Sequence, residues 1–159
     1  MIKRMMIKKM AAVVAAALTV VALAGCGKST SAAADKSQVK VGVLQLIDQQ
    51  ALTAARKGFT EELAKAGYKG KKIKLDYVNA QGDQSNLQTM SQRLKRDKND
   101  VNLAIATPAA QALHKEDATT PMLFTAVTDP KAAGLVSNPS KPDKNATGVT
   151  DKVCLLYTS

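Results

Sequence analysis

The sequence has few of the residues on which metal sites, disulfide scaffolds and stacking surfaces depend. Its 159 residues include two Cys, one His and no Trp, and aromatic side chains make up 3% of the chain. Two Cys and one His cannot form a Cys/His zinc site unaided, nor a disulfide scaffold. With 45% hydrophobic residues, Gly 9 and Pro 5, the chain is neither collagen-like nor intrinsically disordered. Its length suits one domain with a short appendage.

Motifs that would mark an enzyme are also missing. No G-x-G-x-x-G follows the first strand-like segment and no G-x-S-x-G occurs, so neither a dinucleotide site nor a hydrolase nucleophile is predicted. His114 falls inside a predicted helix and fits a surface residue better than a general base. Asp48 and Asp129 could form a carboxylate pair, but no nucleophile or metal ligand accompanies them. We therefore expect no enzyme, no catalytic residue, no metal and no cofactor.

The basic charge of the chain suggests a polyanionic partner, but its distribution argues against one. The formal net charge is +10, and four positive charges without any acid lie in residues 1–25, which leaves +6 for the rest. The remaining Lys and Arg are not interleaved with aromatic residues that could stack on bases. The pattern favours a basic solvated face, and we expect no nucleic-acid partner.

The first 25 residues have the pattern of an export signal. A basic start is followed by the apolar run AAVVAAALTVVALAG, which is short for a permanent membrane span, and then by Cys26. The residues LAGC at 23–26 resemble the lipobox of bacterial lipoproteins, in which the Cys is lipidated and becomes the mature N-terminus. We expect a lipoprotein signal peptide at 1–25, a lipid anchor on Cys26 and a flexible tether at 26–38. The protein would then be held on the extracytoplasmic face of the cell membrane.

Beyond the tether, the hydrophobic pattern alternates between the periods of strands and helices. Strands are predicted at 39–46, 72–79, 101–106 and 121–127. Helices are predicted at 51–67 with Gly67 as the stop, from a cap at Ser85 or Asp83 to about 98, and at 108–116 after a cap at Thr107. Strands that alternate with helices predict an α/β fold, an open parallel Rossmann-like sheet with helices on both faces. The predicted domain spans residues 39–150.

In such sheets, ligands bind beyond the carboxyl ends of the strands. This rule directs attention to three loops, Leu46–Ala51, Ala106–Ala109 and Ala126–Pro130. Asp48 of the first loop, mentioned above, is the only acidic residue there.

The second and third loops have groups that suit a carboxylate. Thr107 is predicted as the N-cap of the third helix, with the backbone N–H groups of Ala109 and Ala110 pointing out of the helix end. Thr128 and the backbone around Val127 end the next strand. From the residues alone, the alternative that Thr107 is only a cap and Thr128 only a strand end stays open.

A family resemblance rests on five segments of the chain. They are VKVGVLQLIDQQALTAARKGFTEELAKAGY, LDYVNAQGDQSNLQTMSQRL, LAIATPAAQAL, PMLFTAVTDPKAAGLV and NATGVTD. From about Val39 to Asp151 the chain resembles the substrate-binding lipoproteins of ABC importers, nearest the branch that includes tryptophan-binding proteins. The resemblance implies the first lobe of a two-lobed type I periplasmic binding protein. It also implies a small carboxylated solute, such as an aromatic or other apolar amino acid, and an ABC permease as partner.

The resemblance further implies a role for each of the three loops. Thr107-Pro108-Ala109 matches a loop that caps a ligand carboxylate, 126–129 matches a second carboxylate-side loop, and 48–51 matches a loop that contacts the ligand's side chain. The predicted ligand-binding residues are Asp48, Gln49, Gln50, Thr107, Pro108, Ala109, Val127, Thr128 and Asp129. The family pattern has a His-Pro pair at 49–50 and an Asp at Thr53, and this departure leaves the identity of the solute open.

The end of the chain departs from the family more strongly. The residues VCLLYTS at 153–159 do not match the family's continuation into a second lobe, so 151–159 is expected to be a truncated or non-native tail. Two other functions stay open from the sequence, an exported enzyme with a small α/β domain and a structural surface lipoprotein.

Overall fold

The computed structural model describes residues 38–151. The predicted signal peptide, Cys26, the tether up to residue 37 and the tail from residue 152 lie outside the described residues. The strands are β1 Val39–Gln45, β2 Ile73–Asn79, β3 Val101–Ile105, β4 Met122–Val127 and β5 Ala146–Thr150. The helices are α1 Gln50–Lys65, α2 Gln84–Arg96 and α3 Thr107–Glu116, and a 3₁₀ turn spans Gly70–Lys72.

The five strands form one parallel sheet in the order β2-β1-β3-β4-β5. The predicted α/β class and parallel sheet are confirmed. The chain moves from β1 to β2 in one direction and then crosses back over β1 to β3 and β4, so the order reverses between β1 and β3. Such a reversal leaves a crevice at the carboxyl ends of the two strands.

Strand β5 was missing from the sequence prediction. It pairs in parallel with β4, with an irregularity in the register between Phe124 and Val127. Gly148 lies in its centre, and a side chain there would collide with the backbone of Phe124. Gly148 therefore allows β5 to approach β4 closely, and the segment ATGVT carries little of the alternating pattern by which a strand is recognised.

Both faces of the sheet are covered, as predicted. On one face, α2 and α3 bury an apolar cluster that includes Leu44, Leu87, Leu94, Leu113 and Phe124. On the other face, α1 covers a smaller cluster that includes Val41, Val43, Leu52, Leu103 and Ile105. Burial on both sides explains why β1 and β3 read as nearly continuous apolar runs.

The helix ends agree with the sequence in two places and differ in one. Asp83 caps α2 by accepting a hydrogen bond from the Asn86 amide at 2.8 Å, and Gly67 follows α1 with a φ of 92°. The predicted N-cap of α3 is wrong, because Ala106 occupies that position with φ 86° and ψ 152°, and Thr107 is the first helical residue. None of the helices formed by residues 38–151 is long and apolar enough to cross a membrane.

Candidate functional site

The three candidate loops begin from one row of the sheet. Gln45 of β1 is in register with Ile105 of β3, which is in register with Thr125 of β4. The segments that follow these residues therefore leave the sheet side by side at its carboxyl edge. The structure brings the predicted loops together next to the reversal of strand order, where a solute would be expected to bind.

The first loop forms a concave surface with the start of α1. Its residues Asp48, Gln49 and Gln50 are exposed. A pocket of about 330 Å³ opens here, lined by Asp48, Gln49, Gln50, Thr53, Ala54 and Lys57. Three of the predicted binding residues thus line one pocket, together with Thr53, where the family pattern has an Asp.

Beneath this loop, the buried side chain of Gln45 acts as a hydrogen-bonding hub. Gln45 is 0% exposed. The two hydrogens of its Nε2 are shared among the Ile47 carbonyl oxygen at 2.9 Å, Asp48 Oδ1 at 3.2 Å and Thr53 Oγ1 at 3.2 Å. Its Oε1 accepts from Arg56 Nε at 3.1 Å. Because water cannot reach it, this amide depends on the loop and α1 for its hydrogen bonds.

Tyr77 of β2 supports the same loop from the side. Its hydroxyl donates to Asp48 Oδ1 at 3.2 Å, and the Arg56 guanidinium carbon lies 4.3 Å from the centre of its ring. Burial raises the pKa of Tyr77, and the negative charge of Asp48 raises it further. A side-chain hydrogen bond with Asn79 lowers the pKa but does not outweigh these two effects. The phenol therefore stays protonated at neutral pH and remains a donor to Asp48.

The second loop has a strained start. Ala106 has a positive φ, which an alanine adopts only when its surroundings force it to, and its N–H donates to the Thr125 carbonyl oxygen at 3.0 Å. Thr107 is half-buried, Pro108 is exposed and Ala109 is fully buried, so Ala109 can offer a ligand its backbone only.

One of the amides predicted to be free in this loop is engaged within the helix. The Ala110 N–H donates to the Ala106 carbonyl oxygen at 3.0 Å, so the expectation that it points out of the helix end is wrong. Pro108 has no N–H, and the first turn of a helix leaves its leading amides without intrahelical partners. The amides of Thr107 and Ala109 are therefore the donors that this helix end can offer an anion.

The third loop also begins with a strained alanine. Ala126 has a φ of 55°. Val127 is fully buried in the apolar core, and its carbonyl oxygen accepts from the Asp151 amide at 3.3 Å. Thr128 is exposed, whereas Asp129 Oδ1 accepts from the amides of Lys131 and Ala132 at 3.0 and 2.9 Å and so shapes the turn after β4. The side chains of Thr128 and Asp129 are both exposed, and Asp129 uses one carboxylate oxygen to hold the turn.

The residues that hold the first loop in place were not predicted from the sequence. Gln45, Arg56 and Tyr77 were not proposed as functional residues, although a single Gln in the apolar run VGVLQL is a usable signal, because a buried amide needs partners. His114 lies in the last turn of α3, away from the three loops. Burial lowers its pKa, and the positive charge of Lys144 lowers it further, so His114 is neutral at neutral pH.

Comparison with known proteins places this chain in a family. Residues 40–156 match the family model for ABC transporter substrate binding protein. A tyrosine-binding protein of Clostridioides difficile is 38% identical over 160 residues, which cover 95% of this chain and 46% of that protein. The chain therefore spans about half the length of this curated relative.

Solved structures agree with the family match. The ABC domain from Streptococcus pneumoniae in complex with L-Trp is 43% identical, with a TM-score of 0.71 over 73% of this chain and 39% of that chain. A ligand-free, open substrate binding protein with adhesive properties from Clostridium difficile is 42% identical, with a TM-score of 0.72 over 74% of this chain and 40% of that one. These relatives are binding proteins and not enzymes. The chain belongs to the family of ABC transporter substrate binding proteins.

Proposed function

We propose that this chain forms the first lobe of a receptor that captures an aromatic amino acid, or a related small carboxylated solute, for uptake by an ABC transporter. The observation that carries the proposal is the 43% identity to a domain that holds L-Trp. The three loops at the carboxyl edge of the sheet support it, because each offers hydrogen-bonding groups to the same side of the lobe.

In this proposal, the second and third loops bind the solute carboxylate. The hydroxyls of Thr107 and Thr128 and the amides at the start of α3 supply the donors, and the positive end of the α3 dipole favours an anion there. The first loop, with Asp48, Gln49 and Gln50, then faces the side chain of the solute. A second lobe would supply the rest of the polar shell when the two lobes close and exclude water.

The cellular setting of the receptor is part of the proposal. The LAGC sequence at 23–26 supports lipid modification of Cys26 after cleavage of the export signal. Two or more acyl chains would anchor the protein stably on the extracytoplasmic face of the cell membrane. From there the closed receptor would deliver its solute to an ABC permease.

Calorimetry on the complete two-lobed receptor tests the solute. We expect L-tryptophan or L-tyrosine to bind with micromolar or tighter affinity, and L-alanine and L-lysine to bind at least a hundredfold more weakly. A receptor that binds none of the aromatic amino acids, or that prefers the aliphatic and basic ones, would refute the proposed solute class.

Labelling of cells with a radioactive fatty acid tests the anchor. The Cys26→Ser variant should lose the label, and the Cys154→Ser variant should keep it, because Cys154 lies far from the lipobox sequence. Equal labelling of the Cys26→Ser variant and the unchanged protein would refute lipid attachment at Cys26.

A further inference from the structure

Asp48 has one carboxylate oxygen that is held by the lobe and one that is not. Gln45 Nε2 and the Tyr77 hydroxyl both donate to Oδ1, each at 3.2 Å, and within residues 38–151 no hydrogen bond reaches Oδ2. The side chain is exposed and lines the pocket between the first loop and α1. A carboxylate fixed through one oxygen presents the other as an acceptor in a defined direction.

The groups that fix Asp48 are themselves fixed. Arg56 Nε donates to Gln45 Oε1 at 3.1 Å, which sets the orientation of the Gln45 amide and directs its Nε2 towards the loop. The same guanidinium stacks on the Tyr77 ring, 4.3 Å from its centre. Arg56 thus holds both donors to Asp48, although it does not contact Asp48 itself.

Hydrogen bonds also fix the backbone of the first loop where it leaves β1. The Leu46 N–H donates to the Ile105 carbonyl oxygen at 3.3 Å, and the Leu46 carbonyl oxygen accepts from the Gly82 N–H at 2.8 Å. The Ala80 N–H donates to the Gln45 carbonyl oxygen at 2.9 Å. Asp48 therefore stands on a loop whose start is joined to both neighbouring strands.

The distance across the sheet determines which part of a solute Asp48 can reach. Neighbouring strands lie about 4.8 Å apart, so the end of β1 is about 10 Å from the end of β4, where Thr128 lies. In an amino acid the ammonium group is next to the carboxylate, whereas an aromatic side chain extends away from it. With the carboxylate at Thr107 and Thr128, the far end of the side chain is the part that reaches Asp48.

We propose that Asp48 is a specificity residue that accepts a hydrogen bond from an N–H or O–H at the far end of the solute's side chain, and that Gln45, Arg56 and Tyr77 are its positioning residues. This inference rests on the proposed function. Asp48 then selects aromatic amino acids whose side chain has a donor, such as the phenol of L-tyrosine or the indole of L-tryptophan, over L-phenylalanine. With L-phenylalanine the Asp48 carboxylate would be desolvated without a partner, and this opposes binding.

Affinities of the complete receptor for L-tyrosine and L-phenylalanine test the inference. The unchanged receptor should prefer L-tyrosine, and Asp48→Ala should remove that preference by weakening the binding of L-tyrosine and by relieving the desolvation penalty that opposes L-phenylalanine. Tyr77→Phe removes one hydroxyl and keeps the ring beneath Arg56, so it should lower the preference by about tenfold, the lower end of the effect of one hydrogen bond to a charged group. Arg56→Met should also lower the preference for L-tyrosine, because it removes the hydrogen bond to Gln45 and the guanidinium that stacks on the Tyr77 ring.

Tyr68→Phe is the matched control, because Tyr68 is exposed and lies beyond the far end of α1. It should change neither affinity. A merely structural effect of Tyr77→Phe would weaken both ligands equally, and that result would overturn the inference. So would a receptor that binds L-tyrosine and L-phenylalanine equally before and after Asp48→Ala. A receptor that binds neither ligand would instead refute the proposed function, and the inference with it.

Discussion

The side-chain amide of Asn99 donates to the side-chain carbonyl oxygen of Asn102 at 3.0 Å, and these two atoms face Gly42 of β1. A Cβ at Gly42 would collide with both atoms and touch Leu94. Asn102 is buried, so it cannot move towards solvent to make room. The absence of a side chain at residue 42 is therefore a packing requirement of the sheet.

We expect Gly42→Ala to lower the free energy of unfolding by about 1–3 kcal/mol, the usual cost of inserting a methyl group into a packed core. Gly58→Ala is the matched control, because a Cβ at Gly58 has open space and the residue lies inside α1. Ala is favoured over Gly there by up to about 1 kcal/mol, so this variant should be more stable. Urea unfolding measures both, and a stable Gly42→Ala variant would contradict the packing argument.

The pH dependence of stability should reveal Asp117, which follows α3. Burial alone would raise its pKa, but hydrogen bonds from the side chains and amides of Thr120 and Thr119 outweigh burial and lower its pKa to about 2. The ordinary value in an unfolded chain is about 3.9. The charged form therefore stabilises the fold above about pH 4, and this contribution is lost as the pH falls towards 2.

We expect Asp117→Asn to lower the free energy of unfolding by about 2 kcal/mol at pH 7 and by much less at pH 2. Unfolding by urea at several pH values measures the difference. Glu61→Gln on the exposed surface of α1 is the control and should leave the pH profile unchanged. An Asp117→Asn variant that is equally destabilised at pH 7 and pH 2 would show that the charge of Asp117 has no such role.

Removal of both threonine hydroxyls should weaken solute binding in the complete receptor. Each hydrogen bond to a carboxylate contributes about 1.5–3 kcal/mol, so Thr107→Ala combined with Thr128→Ala should reduce affinity by a hundredfold or more. Thr147→Ala on exposed β5 is the control. Calorimetry gives both dissociation constants, and an unaltered affinity in the double variant would mean that the carboxylate binds elsewhere.

The 159-residue chain by itself should bind amino acids with millimolar affinity or weaker. It offers two hydroxyls and two amides on a surface open to water, and these hydrogen bonds do not offset the several kcal/mol lost on association. Calorimetry with L-tryptophan tests this expectation against the complete receptor. Micromolar binding by the 159-residue chain would place the whole site within the first lobe.

The edge strand β5 should make the isolated chain prone to self-association. Val149 is 68% exposed on this strand, which among the strands of residues 38–151 pairs with β4 alone. An exposed apolar edge is a template for pairing with another chain, and a Lys there opposes such pairing. Light scattering should show association that rises with concentration and that falls in Val149→Lys. Gln88→Lys adds the same single charge on the exposed surface of α2 and should leave association unchanged.

The sequence pattern was sufficient for those elements that bury a regular apolar face. Strands β1 to β4 and the three helices follow from periodicity, and the chemistry of capping limits the start of α2 to Asp83 or Ser85. Strand β5 does not, because its pairing depends on the close approach of Gly148 to Phe124, which is a tertiary contact.

The loops at the carboxyl edge were found from a general rule for parallel sheets, but their internal geometry was not. Thr107 looked like a helix cap because its hydroxyl suits that position, and only the backbone of Ala106 shows that the helix starts one residue earlier. The role of Gln45 likewise depends on Arg56 and Tyr77, which are distant in sequence and meet only in the folded lobe.

The two strained alanines that end β3 and β4 have a consequence for the thermodynamics of the site. Ala106, directly after β3, and Ala126, near the end of β4, both have positive φ values, and the Ala106 N–H donates to the carbonyl oxygen of Thr125, the residue before Ala126. Alanine reaches this conformation less readily than glycine, so each loop is held there by the packing of the sheet beneath it. The conformational entropy of both loops is therefore lost when the lobe folds. Both loops are therefore already ordered when a solute binds. The entropy lost in ordering them is part of the free energy of folding and does not reduce the affinity for the solute.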